Sequence, residues 1–194
     1  MKNKILYLGD HSSVVEFLRD AGYEIVIEDK KLQLDDFLKI DPHYVISYGY
    51  RHIIKKNVLD RYSILNLHIS YLPWNRGADP NFWSFFDDTL KGVTIHFMDE
   101  GIDTGGVIFQ TKVAFGPTEN TLALTYQRLK DEVEKLFIAE WDNFTNENYI
   151  RTPQNKEEGS HHCSKILKGL WNNLPNGWNT TIEEIKCLKE QMMK

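Results

Sequence analysis

The stretch Ile64-Leu-Asn-Leu-His-Ile-Ser-Tyr-Leu-Pro73 sets an amide and an imidazole two residues apart, at Asn66 and His68. In an extended strand alternate side chains share a face, so these two project together while Leu65 and Leu67 turn to the other side. An amide N–H can stabilise negative charge that develops on a carbonyl oxygen under attack, and an imidazole can accept a proton near neutral pH. A second stretch, Gly92-Val-Thr-Ile-His-Phe-Met-Asp-Glu-Gly-Ile-Asp-Thr-Gly-Gly106, runs a strand into a loop where Gly101, Gly105 and Gly106 surround Asp103. Glycines there permit unusual backbone angles and the close approach of a ligand. Asp103 can then hold an imidazolium, orient it, or pass a proton through water to a leaving group. Taken singly, each has a plainer reading, His68 as a satisfied strand histidine and Asp103 as a turn former. His96 lies on the second motif's strand, but alternation gives it no clear access to the pocket and it is read as structural.

The elements that must carry these residues alternate. An apolar run at 4–8 ends at Gly9, and Ser13-Val-Val-Glu16 matches a capping box that opens a helix ending near Gly22. Further strands are expected at 24–28, 44–48, 64–69, 93–98 and 107–112, with helical signals at 34–39, 52–60 and 81–90. A longer helix is expected from Thr118 as N-cap, with Leu122, Tyr126, Leu129, Val133, Leu136, Phe137 and Trp141 on one face. Strand and helix in alternation predict an α/β fold, a Rossmann-like and mostly parallel sheet flanked by helices. Residues 1–148 read as the catalytic domain and 149–194 as a C-terminal extension, with a polar loop at 153–160 and a short amphipathic helix at 181–192. Gly9-Asp-His-Ser-Ser13 lacks the Gly-x-Gly-x-x-Gly phosphate cradle and reads as an ordinary turn.

With 194 residues, of which 41% are hydrophobic and 26% charged, the chain suits one domain with an appendage and a sizeable core. Its net charge of −5 speaks against a broad basic surface, so neither nucleic acid nor an anionic membrane is expected as a partner. Cys163 and Cys187 make neither a disulfide framework nor a C-x-x-C pair. His161, His162 and Cys163 are adjacent and do not converge readily on one ion, so no metal is expected. The first apolar run is too short for a signal peptide, and no run approaches the ~20 residues of a membrane span. The expectation is a cytoplasmic protein.

Together the two motifs resemble those of the folate-dependent formyltransferases, the family of the glycinamide-ribonucleotide, methionyl-tRNA and sugar N-formyltransferases. Its signature is Asn-x-His-x-Ser-x-Leu-Pro, followed by a strand and a loop ending in Asp-x-Gly or Asp-Thr-Gly, and the resemblance spans residues 1 to 145. It implies 10-formyltetrahydrofolate as cosubstrate and Asn66, His68 and Asp103 as the catalytic set, with the formyl carbon attacked by an amine. It further implies a donor pocket lined by Ser47, Tyr48, Gly49, Tyr50, Arg51, His52 and Ile53, completed by Asp99, Gly101 and Ile102. Trp74-Asn-Arg-Gly is similar to the Leu-Pro-aromatic-Asn-Arg-Gly pattern of the sugar branch, which implies a small-molecule nucleotide-sugar acceptor.

Acceptor contacts are then expected from Tyr71, Trp74, Asn75, Arg76 and Asn81, with Trp83, Gln154 and His162 as further candidates. Phe82 and Phe86 are expected to bury a helix, and Leu167 to Trp178 looks like an insertion. The missing phosphate cradle speaks against the glycinamide-ribonucleotide branch. The acidic charge and the short segment after Tyr149 speak against the RNA-binding domain of the methionyl-tRNA branch. The implied activity is formyl transfer to the amino group of a nucleotide-linked amino sugar. Other readings are another amine acceptor, a formyltetrahydrofolate hydrolase using water, or a folate-binding module without turnover. The assembly is left open between a monomer and a homodimer.

Overall fold

The computed structural model describes residues 3–155, 157–172 and 174–192. Four strands, β1 (Lys4–Gly9), β2 (Glu24–Glu28), β3 (Tyr44–Tyr48) and β4 (Ile64–His68), pair in parallel in the order β2-β1-β3-β4. A two-residue strand, β5 (Arg76–Gly77), leaves the sheet before β6 (Gly92–Phe97) returns antiparallel to β4, and β7 (Val107–Lys112) closes the edge antiparallel to β6. The expected sheet is therefore present, parallel through β4 and antiparallel beyond it.

Ile5, Leu6, Tyr7 and Leu8 of β1 are all fully buried, because helices cover both faces of a central parallel strand. On one face α1 (Ser13–Asp20) packs Val14, Val15 and Leu18 against Ile5, Tyr7, Ile46, Leu65 and Leu67. The opposite face carries α2 (Leu34–Ile40) and the short α3 (Lys56–Leu59), whose Phe37 and Val58 meet Leu6, Leu8, Val45 and Ile64. After α4 (Pro80–Phe86), the long α5 (Leu122–Thr145) returns to the first face through Leu129, Val133, Phe137 and Trp141.

Four helix expectations change. The capping box at Ser13 does not form: Ser12 is the N-cap, and the Ser13 hydroxyl donates to Glu134 on α5, an ionised acceptor that outcompetes the local backbone. Helix α5 starts four residues after Thr118, with Thr121 Oγ1 accepting the Leu124 N–H at 3.3 Å. Glu119 instead accepts the Gly116 N–H at 2.7 Å, closing a turn. The helices expected at 52–60 and 81–90 shrink to α3 and α4.

The extension folds onto α4. A strand β8 (His161–His162) pairs with β5, and α6 (Ser164–Trp171) and α7 (Ile182–Met192) follow. Leu167, Leu170, Leu174 and Ile185 pack on Phe82, Trp83 and Phe85 of α4 in a separate apolar cluster. The stretch that resembles an insertion thus supplies the cover for α4. Among the described residues no helix is long and apolar enough to cross a membrane.

Candidate active site

The antiparallel return of β6 builds the site. Asn66 pairs directly with His96 and His68 with Thr94, so all four side chains rise from one face of the sheet. His96, read from sequence as structural, therefore joins the polar cluster: its Nε2 accepts from Asn66 Nδ2 at 3.1 Å while its Nδ1 donates to the Phe97 carbonyl at 2.9 Å. The orientation of the amide and the tautomer of the ring follow from these partners. That neighbourhood follows from the register between the two motif strands, which neither strand encodes alone.

Asp103 meets the pair from the loop after β6, with its backbone in the left-handed region at φ 54°. Its Oδ1 accepts the other Asn66 Nδ2 hydrogen at 3.1 Å, and its Oδ2 accepts the Gly77 N–H at 2.8 Å. His68 Nδ1 stands 3.6 Å from Oδ2, and His96 Nε2 stands 3.6 Å from Oδ1. The loop can take this path because position 105 is glycine: a Cβ there would lie 1.8 Å from the Phe97 carbonyl oxygen. Burial alone would raise the Asp103 carboxyl, but the neighbouring His68 and His96 rings and the hydrogen bond from the Gly77 amide outweigh it and hold the group well below the usual carboxylate range.

His68 Nε2 donates to the Asn75 carbonyl at 3.1 Å. In the neutral ring that leaves Nδ1 as the basic nitrogen, and it faces the Asp103 carboxylate. Thr94 holds the following turn, with its hydroxyl donating to Ser70 O at 2.7 Å and accepting the Leu72 N–H at 3.2 Å. Asn66, His68, Thr94 and His96 are all buried.

Several residues expected to face the acceptor are committed inside the chain. Asn75 is fully buried, its Nδ2 on Thr89 Oγ1 at 2.8 Å. Arg76 turns its guanidinium onto the extension, to Gln154 Oε1 at 3.1 Å, the Glu158 carbonyl at 3.2 Å and the Asn155 carbonyl at 3.1 Å. Asn81 donates to the Leu122 carbonyl at 3.0 Å and ties α4 to α5. Trp83 is buried and stacks on His162 with ring centroids 4.1 Å apart, and His162 Nε2 is 3.0 Å from Asp87 Oδ2. Each of these side chains has a protein contact, but Asn81 Oδ1 and Trp83 Nε1 are buried without a hydrogen-bond partner among the described residues. Tyr71 and Trp74 are half-buried, the Tyr71 ring lying beside Gly92 with Lys112 Nζ 5.6 Å from its centroid.

The donor segment divides similarly. Ser47 and Tyr48 are buried in β3, and Tyr48 lies on the α5 face with its hydroxyl donating to Glu134 at 3.1 Å, away from Asn66. Tyr50 folds back, donating to the Lys30 carbonyl at 2.8 Å. Asp99 closes its own turn, accepting from Thr104 Oγ1 at 2.6 Å and from the Gly101 N–H at 3.1 Å. The side chains of Tyr48, Tyr50 and Asp99 are thus spent on the fold, whereas Ser47, paired with Asn66 across β3 and β4, is buried on the face of the polar cluster. Gly49, at φ 72°, opens the exposed turn that carries Arg51, half-buried His52 and Ile53. Ile53 is 75% exposed and Ile102 50% exposed, and Lys56 Nζ to Glu100 Oε1, 2.9 Å, joins the two loops that carry them.

A formyl transferase family model matches residues 8–140. The chain is 36% identical over 135 residues to the methionyl-tRNA formyltransferase of Agathobacter rectalis, covering 68% of this chain and 43% of that protein. With the methionyl-tRNA formyltransferase of Clostridium tetani it shares 31% over 172 residues, covering 84% and 54%. The chain thus spans about half the length of the curated relatives it matches. Among solved structures, the formyltransferase PseJ from Anoxybacillus kamchatkensis superposes with a TM-score of 0.88 at 40% identity, over 94% of this chain and 97% of that one. That structure holds UDP-4,6-dideoxy-4-formamido-L-AltNAc and tetrahydrofolate. A sugar N-formyltransferase from a Shewanella species shares the fold, with a TM-score of 0.78 at 20% identity, over 96% of this chain and 87% of that one.

Proposed function

The chain belongs to the formyl transferase family, and we propose that it moves a formyl group from 10-formyltetrahydrofolate to the amino group of a nucleotide-linked amino sugar. One observation carries this reading: the likeness to PseJ runs through 94% of this chain and 97% of that one, extension included. The buried Asn66, His68 and Asp103 cluster supports turnover over simple folate binding, since a binding module needs no such arrangement.

The donor, when bound, supplies a formyl carbon on nitrogen, already at the oxidation level of an amide. The turn at Gly49 to Ile53 and the loop at Asp99 to Ile102 would hold it, with Ile53 and Ile102 against its apolar face. His68 takes the proton of the attacking amine at Nδ1, because Nε2 is anchored on the Asn75 carbonyl. It would return that proton to the folate nitrogen as the bond from that nitrogen to the formyl carbon breaks and tetrahydrofolate leaves. Asp103, ionised and beside Nδ1, stabilises the imidazolium that results. Asn66 offers an N–H to negative charge on the formyl oxygen, and of its two bonds the one to neutral His96 yields more readily than the one to the carboxylate. Trp74 and Tyr71, half-buried at the edge, supply aromatic faces for the acceptor.

A second reading, an aminoacyl-tRNA amine as acceptor, is favoured by the curated methionyl-tRNA formyltransferases. Incubation with the formyl donor and a panel of nucleotide amino sugars, with charged initiator tRNA in a parallel arm and mass readout in both, separates the two. Formylated sugar is the expected product. Formylated tRNA alone would establish the second reading, and formate release without either product would make the protein a hydrolase.

A further inference from the structure

We propose that Gln154 is a positioning residue that sets the Asp103 carboxylate, so that the extension takes part in turnover without touching substrate. The proposal rests on the role given to Asp103 above. Asp103 sits at φ 54°, and the loop that bends there has to be held. Gln154 Nε2 spends its two hydrogens on that loop, donating to the Asp103 carbonyl at 2.9 Å and to the Gly105 carbonyl at 2.7 Å. Its Oε1 accepts from Arg76 Nε at 3.1 Å, and since a guanidinium only donates, this bond fixes which end of the amide faces the loop.

Arg76 is itself anchored on the Asn155 and Glu158 carbonyls of the same segment. The next residue, Gly77, donates its N–H to Asp103 Oδ2. One amide–guanidinium pair therefore grips Asp103 from two directions, the backbone through Gln154 and the carboxylate through the residue beside Arg76. The separation that this grip sets is 3.6 Å between His68 Nδ1 and Asp103 Oδ2, longer than a hydrogen bond, so a small shift of the loop changes it in relative terms. Gln154 is half-buried and donates to no group of the Asn66, His68 and Asp103 side chains.

The test uses Gln154→Glu, Gln154→Leu, Asp103→Asn and the two Gln154/Asp103 double variants. Gln154→Glu keeps the acceptor for Arg76, so it preserves the staple on the extension while removing both bonds to the loop. The expected result is a melting temperature close to wild type and a kcat about 10- to 100-fold lower, with donor and acceptor KM within about twofold. Gln154→Leu, if it folds, should match it in kcat. In the Asp103→Asn background, assayed under single-turnover conditions, neither Gln154 variant should lower the rate further, because the group it positions is already gone. Wild-type kcat in Gln154→Glu, or an equal fold-loss in both backgrounds, would overturn the proposal. Wild-type turnover in Asp103→Asn alone would instead remove the role assigned to Asp103, and the positioning argument with it.

Discussion

Asn66, His68 and His96 lie buried with protein partners 3.1 Å away, whereas Ile53 and Ile102, on the loops beside them, stand 75% and 50% in solvent. The inner group is preorganised: its distances are set by strand pairing and by the loop that carries Asp103, before any ligand arrives. The edge, with Trp74 and Tyr71, has partly exposed apolar and aromatic surface, to which the proposed function assigns the substrates. Damage inside should therefore appear in kcat and damage at the edge in KM.

The largest expected effect is at His68. Its replacement by alanine removes the proton acceptor and should lower kcat by about 10²- to 10⁴-fold, with donor binding and thermal melting little changed. Retention of near-wild-type turnover would dissolve the contrast between the two regions. Asn66→Ala should follow, with a loss of ~10²–10³ in kcat for one missing oxyanion donor. Measured together with substrate KM, it sharpens the contrast if KM stays put and blurs it if KM carries the loss.

At the edge, Trp74→Ala should raise the KM for the acceptor on the order of tenfold, the value of one stacked ring at ~1–3 kcal/mol, while leaving folate binding unchanged. Titration of the variant against each substrate separately decides whether Trp74 belongs to the acceptor side. The smallest expected effect concerns stability. Asp103 is held below the usual carboxylate range, so its ionised form stabilises the fold above the unfolded value near ~3.9, and that contribution is lost as pH falls below it. Wild type should therefore lose ground relative to Asp103→Asn between about pH 5 and pH 3 in denaturant melts. A gap between the two that is independent of pH would mean that the carboxylate is not favoured by its surroundings.

The difference between the two regions also explains what a reader of the chain could see. Asn66 and His68 were legible because strand alternation is a local rule, and two residues on one strand obey it regardless of the rest of the fold. Glycine at 105 announced a tight loop for Asp103 for an equally local reason. His96, read as structural, is buried with both ring nitrogens on protein partners, but its place beside Asn66 depends on β6 returning antiparallel to β4, a register that neither strand encodes alone. Ser13 likewise satisfies a capping pattern on paper, yet bonds to Glu134, more than a hundred residues away.

What the sequence determined by itself, then, was the alternating α/β order, the apolar faces of β1 and α5, and the residue types able to do acyl transfer. Each follows from periodicity or from side-chain chemistry within one element. Tertiary structure alone decided that Arg76 and Gln154 bond to each other, and that β8 docks on β5. It also decided that α6 and α7 cover α4. The physical reason is that a buried donor takes whichever acceptor the packed chain brings within reach, and for Arg76 that acceptor lies in a segment separated from it by the whole of α4, β6, β7 and α5.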